Sequence, residues 1–415
     1  MSKQETYDFA EFVTGNYISY GKTVNRDRAV PSLDGLKPVH RRILLGLKEV
    51  ANGKLTAANN GIGAIQVLHP FGDGGIFGAM SDMARLKAID SYGSVGIKLM
   101  TPVPAAAARY WKVGLTKAQS KFWFRLLDYS PLIESDVGLE PEYLITPVPY
   151  CLVYGAQNLG FGAAGRTPAF TYESLLEAWL KDDPQLLVPQ FGYKFDRDKS
   201  DLQELWDKGT GRVQVRYNVE KLNDNEILLH GSGETFAPNL RAFNKLLEEG
   251  KIEILDVSGD EVALRIRKLP RARVDINEIL DICKRVGTFN RRYNIIVVEN
   301  DVVRNIGIKE WLDITINRFI ETFDHDKGNR VTKLNKDIEV LKLLPQVGQL
   351  LLEDKSDEDI LASVEGLSVE ILEAIKRKSI SSLRRKDSSA EIAAIEKRIQ
   401  EIQAEDPRAE MMKPM

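Results

Sequence analysis

Cysteine is almost missing from this chain: Cys151 and Cys283 are the only two, far apart and outside any C-x-x-C spacing. That excludes a disulfide framework or a cysteine-held zinc as the organising device, and a reducing cytoplasm is the expected compartment. No apolar run approaches the roughly 18 residues that cross a bilayer, and the opening Met1-Ser2-Lys3-Gln4-Glu5 is too polar for a signal peptide. The histidines, His40, His69, His230 and His325, are scattered without metal-ligand spacing, so no zinc site is expected on this chain. An excess of positive charge is absent too. Lys and Arg total 57 against 60 Asp and Glu, a formal net charge of -3, which excludes a protein basic all over but leaves room for a local patch.

What is present points to a multi-domain α+β protein. At 415 residues the chain exceeds the size at which one core keeps growing, and 43% hydrophobic with 28% charged residues allows a core in each module. One patch is locally cationic: Lys22, Arg26, Arg28, Lys37, Arg41, Arg42 and Lys48 face only Asp27 and Asp34. From 37 to 92, helical patches alternate with Gly-rich turns, and residues 39–50 and 75–86 read as helices. An extended stretch with Pro102 and Pro104 then leads to Arg109 and Tyr110. Helices followed by a Gly-bounded extended loop suggest a winged-helix module. From about 140 to 305 short β-rich runs, at 150–154, 213–217 and 295–298, read as a mixed α/β domain.

Beyond that the chain is depleted in Gly and rich in helix formers. Val331, Leu334, Ile338 and Leu341 step by heptads, as do Ile392, Ile395, Ile399 and Ile402. Pro345 and the polar stretch 354–359 interrupt the pattern, and 360–380 reads as short helices. Two arms about a helical insert suggest an antiparallel coiled coil with a small tip, while seams this short equally suit an ordinary helical bundle. The polar tail after Glu405 is expected to be disordered.

Two motifs invite chemistry that their surroundings weaken. Gly160, Gly162 and Gly165 match G-x-G-x-x-G, but Arg166, Thr167 and Pro168 intervene before a helix that begins near Tyr172 with Thr171 as its cap. In a dinucleotide fold the helix starts within the glycine run and faces the pyrophosphate, so a Rossmann oxidoreductase is the least favoured reading. The basic run 265–273 fits either phosphate contact or the wet face of an edge strand.

Residues 28–44 read R-A-V-P-S-L-D-G-L-K-P-V-H-R-R-I-L. Two prolines and a glycine fix a loop, and the helix that follows opens on His40, Arg41 and Arg42, whose guanidinium groups and backbone N–H groups suit an anion. Those residues alone leave open a merely solvated helix start. The segment resembles the R-A-L-P…D-G-L-K-P-V-H-R-R signature of the cleavage subunits of type IIA DNA topoisomerases, gyrase A and topoisomerase IV C, with one residue fewer between Pro31 and Asp34. Leu68-His69-Pro70-Phe71-Gly72-Asp73 resembles their Y-H-P-H-G-D, Tyr92-Gly93-Ser94 their N-F-G-S, and Ala107-Ala108-Arg109-Tyr110 their A-M-R-Y, in the same order. A weaker likeness runs through 147–168 and the layout of the C-terminal half. Brevity and divergence make the chain most similar to the medium subunit of T4-type phage topoisomerases.

The resemblance implies an N-terminal arm at 1–27, a winged-helix domain with the nucleophile at 28–139, an α/β tower at 140–306, a coiled coil with a dimerisation gate at 307–403, and a polar tail at 404–415. It implies Tyr110 as the nucleophile that forms a transient 5′-phosphotyrosyl link in a double-strand gate, with Arg109 beside it. Arg28, Lys37, His40, Arg41, Arg42 and His69 would support the DNA strand near the cut, and Leu159 would wedge between base pairs. Carboxylate clusters of the D-x-D kind are missing in a matching context, so no metal is expected on this chain. Mg2+ and ATP are expected on a Toprim/ATPase partner subunit, with double-stranded DNA and a second copy of this chain as further partners. The chain stops without a DNA-wrapping β-pinwheel, so relaxation or decatenation is expected rather than negative supercoiling, in the cytoplasm of the cell or phage host. Phe71 replaces the second His of H-P-H-G-D, and Gly74 and Gly78 stand where bacterial gyrases carry the serine and acid that anchor quinolones, so weak quinolone sensitivity is expected. The competing class is a non-catalytic winged-helix DNA-binding or structural protein.

Overall fold

The computed structural model describes residues 9–96, 103–135, 138–190, 194–231, 240–258, 262–383 and 387–413. The first eight residues of the expected arm, Pro102 and the last two residues of the tail lie outside the described residues. The chain divides into two compact units, one of residues 1–318 with 414–415 and one of residues 319–413.

The first unit opens with helix α1 (Phe9–Val24) and a π-helical turn, Asn25–Ala29. Helix α2 (Pro38–Val50) starts on a proline, whose missing N–H costs nothing at a first helical position. Strand β1 (Leu55–Ala57), helices α3 (Ala58–Gln66) and α4 (Asp73–Arg85), and strands β2 (Asp90–Tyr92) and β3 (Lys112–Gly114) follow. The strands form an antiparallel sheet in the order β1-β3-β2, so β3 is central. Ile43, Leu44, Leu47, Ile65, Ile76, Met80 and Val113 are fully buried in this part of the core.

Helix α3 is absent from the sequence reading, because Gly61 and Gly63 argue against a helix by propensity. Packing decides otherwise. A Cβ on Gly46 of α2 would lie 2.7 Å from Ile65 of α3, and one on Gly61 would lie 3.2 Å from Val113 of β3. These glycines are places where elements touch, not places where they end.

Helix α5 (Lys117–Phe124) carries a Thr116/Gln119 capping box, and β4 (Leu132–Ser135) pairs with β5 (Gly138–Pro141). The run 150–154 is a correction: it forms a short helix, α6 (Tyr150–Tyr154), and not a strand. Its residues Tyr150, Cys151, Leu152 and Val153 are all buried, so no one-sided periodicity could separate helix from strand there. Strands β6 (Ala156–Leu159) and β7 (Ala164–Thr167) make a hairpin that ends at helix α7 (Tyr172–Lys181), where Thr171 caps the helix as the sequence indicates.

Strand β8 (Lys194–Asp196), helix α8 (Leu202–Lys208) and strands β9 (Thr210–Arg216), β10 (Asn218–Asn223) and β11 (Glu226–Gly231) come next. They are followed by α9 (Asn244–Glu248), β12 (Ile252–Asp256), β13 (Val262–Lys268), α10 (Ile276–Val286), β14 (Thr288–Asn294), β15 (Ile296–Glu299) and β16 (Val302–Asn305). The larger sheets have the orders β6-β7-β14-β9-β8 and β10-β11-β13-β12. Every strand pairing in them is antiparallel, so this region is α+β rather than built of βαβ units. The basic run 265–273 begins in β13, which is flanked by strands on both sides and is no edge. Arg267 there bonds Glu226 and Glu253 on its two neighbours, while Leu264 and Ile266 are buried.

Helix α11 (Ile308–Leu352) contributes its first turns, to Arg318, to the first unit. There Trp311 Nε1 donates to Leu33 O at 2.8 Å and Thr315 Oγ1 to Pro147 O at 3.0 Å. The first bond seats the loop before α2 and the second the segment before α6.

In the second unit α11 continues straight through Pro345, where the sequence suggested a break. An interior proline costs about 3 kcal/mol; Leu344 and Val347 on either side are buried among Val340, Leu341, Ile360, Leu372 and Ile375, which offsets that cost. Helices α12 (Asp357–Ser363), α13 (Val369–Lys376) and α14 (Ile380–Leu383) complete that cluster, and α15 (Ser389–Gln403) returns along α11. Ile392 and Ile395 pack on the cluster, while Glu405, past the other end of α15, bonds Arg330. The two helices therefore run antiparallel. The tail is a second correction: Pro407–Met411 is a helix, α16, capped by Asp406, with Pro407 and Met411 buried.

Candidate functional site

Tyr110 closes a single 3-10 turn, Ala108–Tyr110, at the threshold of the central strand β3. Its neighbour Trp111 is buried against the core, at 1% exposure, while Tyr110 points out, at 65%. The reversal is fixed by backbone bonds on both sides. Tyr110 N donates to Ala107 O at 2.8 Å, Ala106 N to Ser94 O at 3.0 Å, and Ala58 N to Trp111 O at 3.0 Å. Gly93, at φ +111°, lets the 92–94 turn lie against this point, because a Cβ there would sit 2.9 Å from Trp111 Cβ. The Arg109 guanidinium lies 4.6 Å from the centre of the Tyr110 ring, so a fixed positive charge accompanies an exposed phenol.

The conspicuous basic segment is built differently from what its sequence suggests. Arg41 is buried at 2% exposure, with Nε and Nη2 on the two oxygens of Asp34. Asp34 also accepts from the N–H groups of Leu36 and Leu144. Arg42 is buried too, and holds Glu140 through Nε at 2.8 Å and Nη2 at 2.6 Å. These two arginines organise the loop from within rather than presenting a solvated charge.

Lys37 is half-buried and donates Nζ to Gln157 O at 3.0 Å, tying the loop to the β6–β7 hairpin; burial holds its pKa below the usual lysine range. The His40 ring lies 5.4 Å from the Tyr150 ring, tilted against it, and its buried Nδ1 has no hydrogen-bond partner among the described residues. Burial, with Lys37 and Arg41 adding to it, pushes its pKa down to about 3. At neutral pH it carries no charge to offer a phosphate. In the unfolded chain the same ring takes a proton below its ordinary 6.5, and in the folded chain only below about 3. Between those values acid therefore favours unfolding, by about 1.4 kcal/mol per pH unit for one such proton. His40→Phe is expected to flatten the loss of stability between pH 6.5 and pH 4 in urea titrations; an unchanged slope contradicts the assignment.

Arg28 is exposed, and its guanidinium rides 4.1 Å above the Phe71 ring. That ring meets His69 edge to face at 5.1 Å, and His69 Nδ1 lies 3.1 Å from Arg42 Nη1. Arg28, His69, Phe71, Arg42 and Glu140 thus form one cluster. Among the described residues no hydrogen bond, ion pair or ring contact joins it to the Tyr110–Arg109 pair.

The glycine run 160–165 is the tip of the β6–β7 hairpin together with the first residues of β7, which disposes of the dinucleotide reading. Gly160 N bonds Ala163 O across the turn, and Gly162 takes φ +67°. Asn25 clamps the tip, accepting from Phe161 N at 2.6 Å and donating to Phe161 O at 2.9 Å; a Cβ on Gly160 would collide with it. Leu159, beside the tip, is 71% exposed. A large apolar side chain held out on a clamped hairpin is suited to insertion into a stacked, apolar partner.

Sequence reasoning missed Glu140 and Asn25, because each acts on a residue far away in the chain and neither belongs to a motif. Among the described residues no group of three or more His, Cys, Asp or Glu is placed to hold a metal ion, and no helix is long and apolar enough to cross a membrane.

Comparison with known proteins gives a consistent picture. The family of DNA gyrase/topoisomerase IV A subunits matches residues 28–415. The A subunit of DNA topoisomerase 4 from Borreliella burgdorferi is 29% identical over 290 residues, covering 66% of this chain and 44% of that protein. Its counterpart from Pseudomonas aeruginosa is 28% identical over 315 residues, covering 66% and 41%. The A subunit of DNA gyrase from Metamycoplasma arthritidis is 25% identical over 406 residues, covering 86% and 44%. The chain spans less than half the length of these relatives.

Proposed function

We propose that this chain, which belongs to the family of DNA gyrase and topoisomerase IV A subunits, is the DNA-cleaving and resealing subunit of a type IIA topoisomerase. The observation that carries the proposal is the exposed Tyr110 phenol, held beside Arg109 on a turn whose next residue, Trp111, is buried. The Tyr110 oxygen attacks a backbone phosphorus in line and loses its proton. The bond from phosphorus to the 3′ oxygen breaks, leaving a 3′ hydroxyl and a phosphate ester between Tyr110 and the 5′ end. Resealing is the reverse attack by the 3′ hydroxyl, so the ester conserves the bond.

Charge builds on the phosphoryl oxygens during each transfer, and cationic donors stabilise it. Arg28 and Arg109 are the exposed cations of the two groups, and His69 is a further donor. Lys37, Arg41 and His40 act on the loop itself, holding it in the shape the strand meets. The divalent ion expected in such chemistry is assigned, in this proposal, together with ATP to a Toprim/ATPase partner subunit. A second copy of this chain completes the double-strand gate, and the medium subunit of a T4-type phage enzyme is the kind of protein proposed.

Leu159 is the proposed wedge. Leu159→Ala is expected to reduce the bend of bound duplex, read as energy transfer between dyes on its two ends, while Tyr110 and Arg109 are untouched. An identical bend in both proteins removes the wedge from the account. Gly74 and Gly78 lie at the start of α4 with open space around them, nothing lying within 4 Å of an added Cβ. Gly74→Ser with Gly78→Glu should therefore fold normally and raise quinolone-stimulated cleavage above the weak level expected for the parent chain. Strong stimulation of the parent, or none in the double variant, goes against this. The whole proposal is tested by mixing the chain with its partner subunit, Mg2+ and plasmid, then denaturing: a covalent protein–DNA adduct supports it, and none favours a non-catalytic DNA-binding protein.

A further inference from the structure

Glu140 has no part in the reaction as proposed, yet it ends a line of directed hydrogen bonds that reaches His69. Its two oxygens take the Nε and Nη2 arms of the Arg42 fork, at 2.8 and 2.6 Å. The third arm, Nη1, lies 3.1 Å from His69 Nδ1. A guanidinium has donors only, so Nδ1 accepts and the single ring proton of His69 sits on Nε2. We infer that Glu140 is a positioning residue which, through Arg42, fixes His69 as a neutral Nε2–H donor for a phosphodiester oxygen of bound DNA. The inference rests on the function proposed above.

The charged groups facing His69 are Arg42, Arg28 and Glu140. A second proton on the ring would set an Nδ1–H against the Arg42 N–H, with Arg28 nearby on Phe71. Burial and the two arginines accordingly hold the His69 pKa below the ordinary histidine value. Burial alone would push the Glu140 carboxyl up, but the bonds and charge of Arg42 outweigh it and hold it low. The two shifts favour an ionised carboxylate beside a neutral imidazole, in keeping with the donor direction that the Arg42 contact sets. Glu140 lies 98 residues from Arg42 in the chain, so the β4–β5 hairpin has to be in place before His69 is oriented.

The test uses the full chain with 15N-labelled histidine rings, the His69 signals being assigned by their loss in His69→Gln. Wild type is expected to show His69 protonated on Nε2 across neutral pH. Glu140→Gln turns an N–H2 toward one arm of Arg42, and should give mixed His69 tautomers. Glu140→Asp keeps the charge and should restore a majority of the Nε2–H form, which separates orientation from general loss of fold. With duplex and the partner subunit, Glu140→Gln should slow adduct formation by about ten-fold, the worth of one charge-assisted hydrogen bond, with duplex affinity nearly unchanged. Wild-type His69 protonated on Nδ1, or an unaltered ring in Glu140→Gln, overturns the inference. No adduct from wild type overturns the function instead, and leaves the ring measurement standing as a separate result.

Discussion

Tyr110→Phe is expected to abolish covalent protein–DNA adducts completely while leaving folding and duplex affinity essentially as they are. The substitution removes one oxygen from a ring that is 65% exposed, and surface changes of this kind stay within about 0.5 kcal/mol. The ring itself, and with it the Arg109 guanidinium 4.6 Å from its centre, is retained. What disappears is the only atom on this turn that can form a phosphate ester. The effect is therefore all or none in the chemistry and close to zero in binding. Gel separation of denatured cleavage mixtures checks the first half, and fluorescence anisotropy of labelled duplex the second. Residual adduct at a wild-type level places the nucleophile elsewhere.

Asp34→Ala should have the largest effect on stability, about 3–5 kcal/mol, because it strands the buried Arg41 without its partner. Asp34 is 1% exposed and accepts four hydrogen bonds: two from Arg41 and one each from the N–H groups of Leu36 and Leu144. Domain stabilities are only about 5–15 kcal/mol, so the variant gives up a large part of what holds the first unit. Adding Arg41→Met to remove the uncompensated charge is expected to recover part of the loss, while the two orphaned N–H groups keep the rest. Urea denaturation of the three proteins measures both steps. If Asp34→Ala unfolds at the wild-type midpoint, the buried pair does not organise this loop.

Both predictions depend on residues that the sequence displays unequally. Tyr110 is one of 13 tyrosines, and nothing in its spacing distinguishes it; only the likeness of 107–110 to a family motif does. The basic segment is visible in sequence, but as a cluster of charge, and the structure turns two of its arginines inward onto Asp34 and Glu140. Local pattern cannot show that, since the partner of Arg42 is supplied by a distant hairpin. Elements failed in the same way: α3 is helical despite its glycines because Gly61 is a contact point against Val113 and Ile65 packs on Gly46 of α2, and α6 is helical where full burial hides any period. Of the heptad residues, by contrast, Ile338, Leu341, Ile399 and Ile402 are buried and Ile392 and Ile395 pack on the core cluster of the second unit, because helices that bury a single stripe write it into their spacing, while Val331 and Leu334 are only half-buried. The tail folds through the cap-and-proline pair Asp406-Pro407, a signal that its polar composition masks.

The most direct test of the central claim is to trap the adduct with duplex DNA and the partner subunit, digest protein and DNA, and find the residue that carries the nucleotide by mass spectrometry. A 5′-linked nucleotide on the peptide containing Tyr110 is the predicted result. A nucleotide attached to any other side chain, or through its 3′ end, contradicts it.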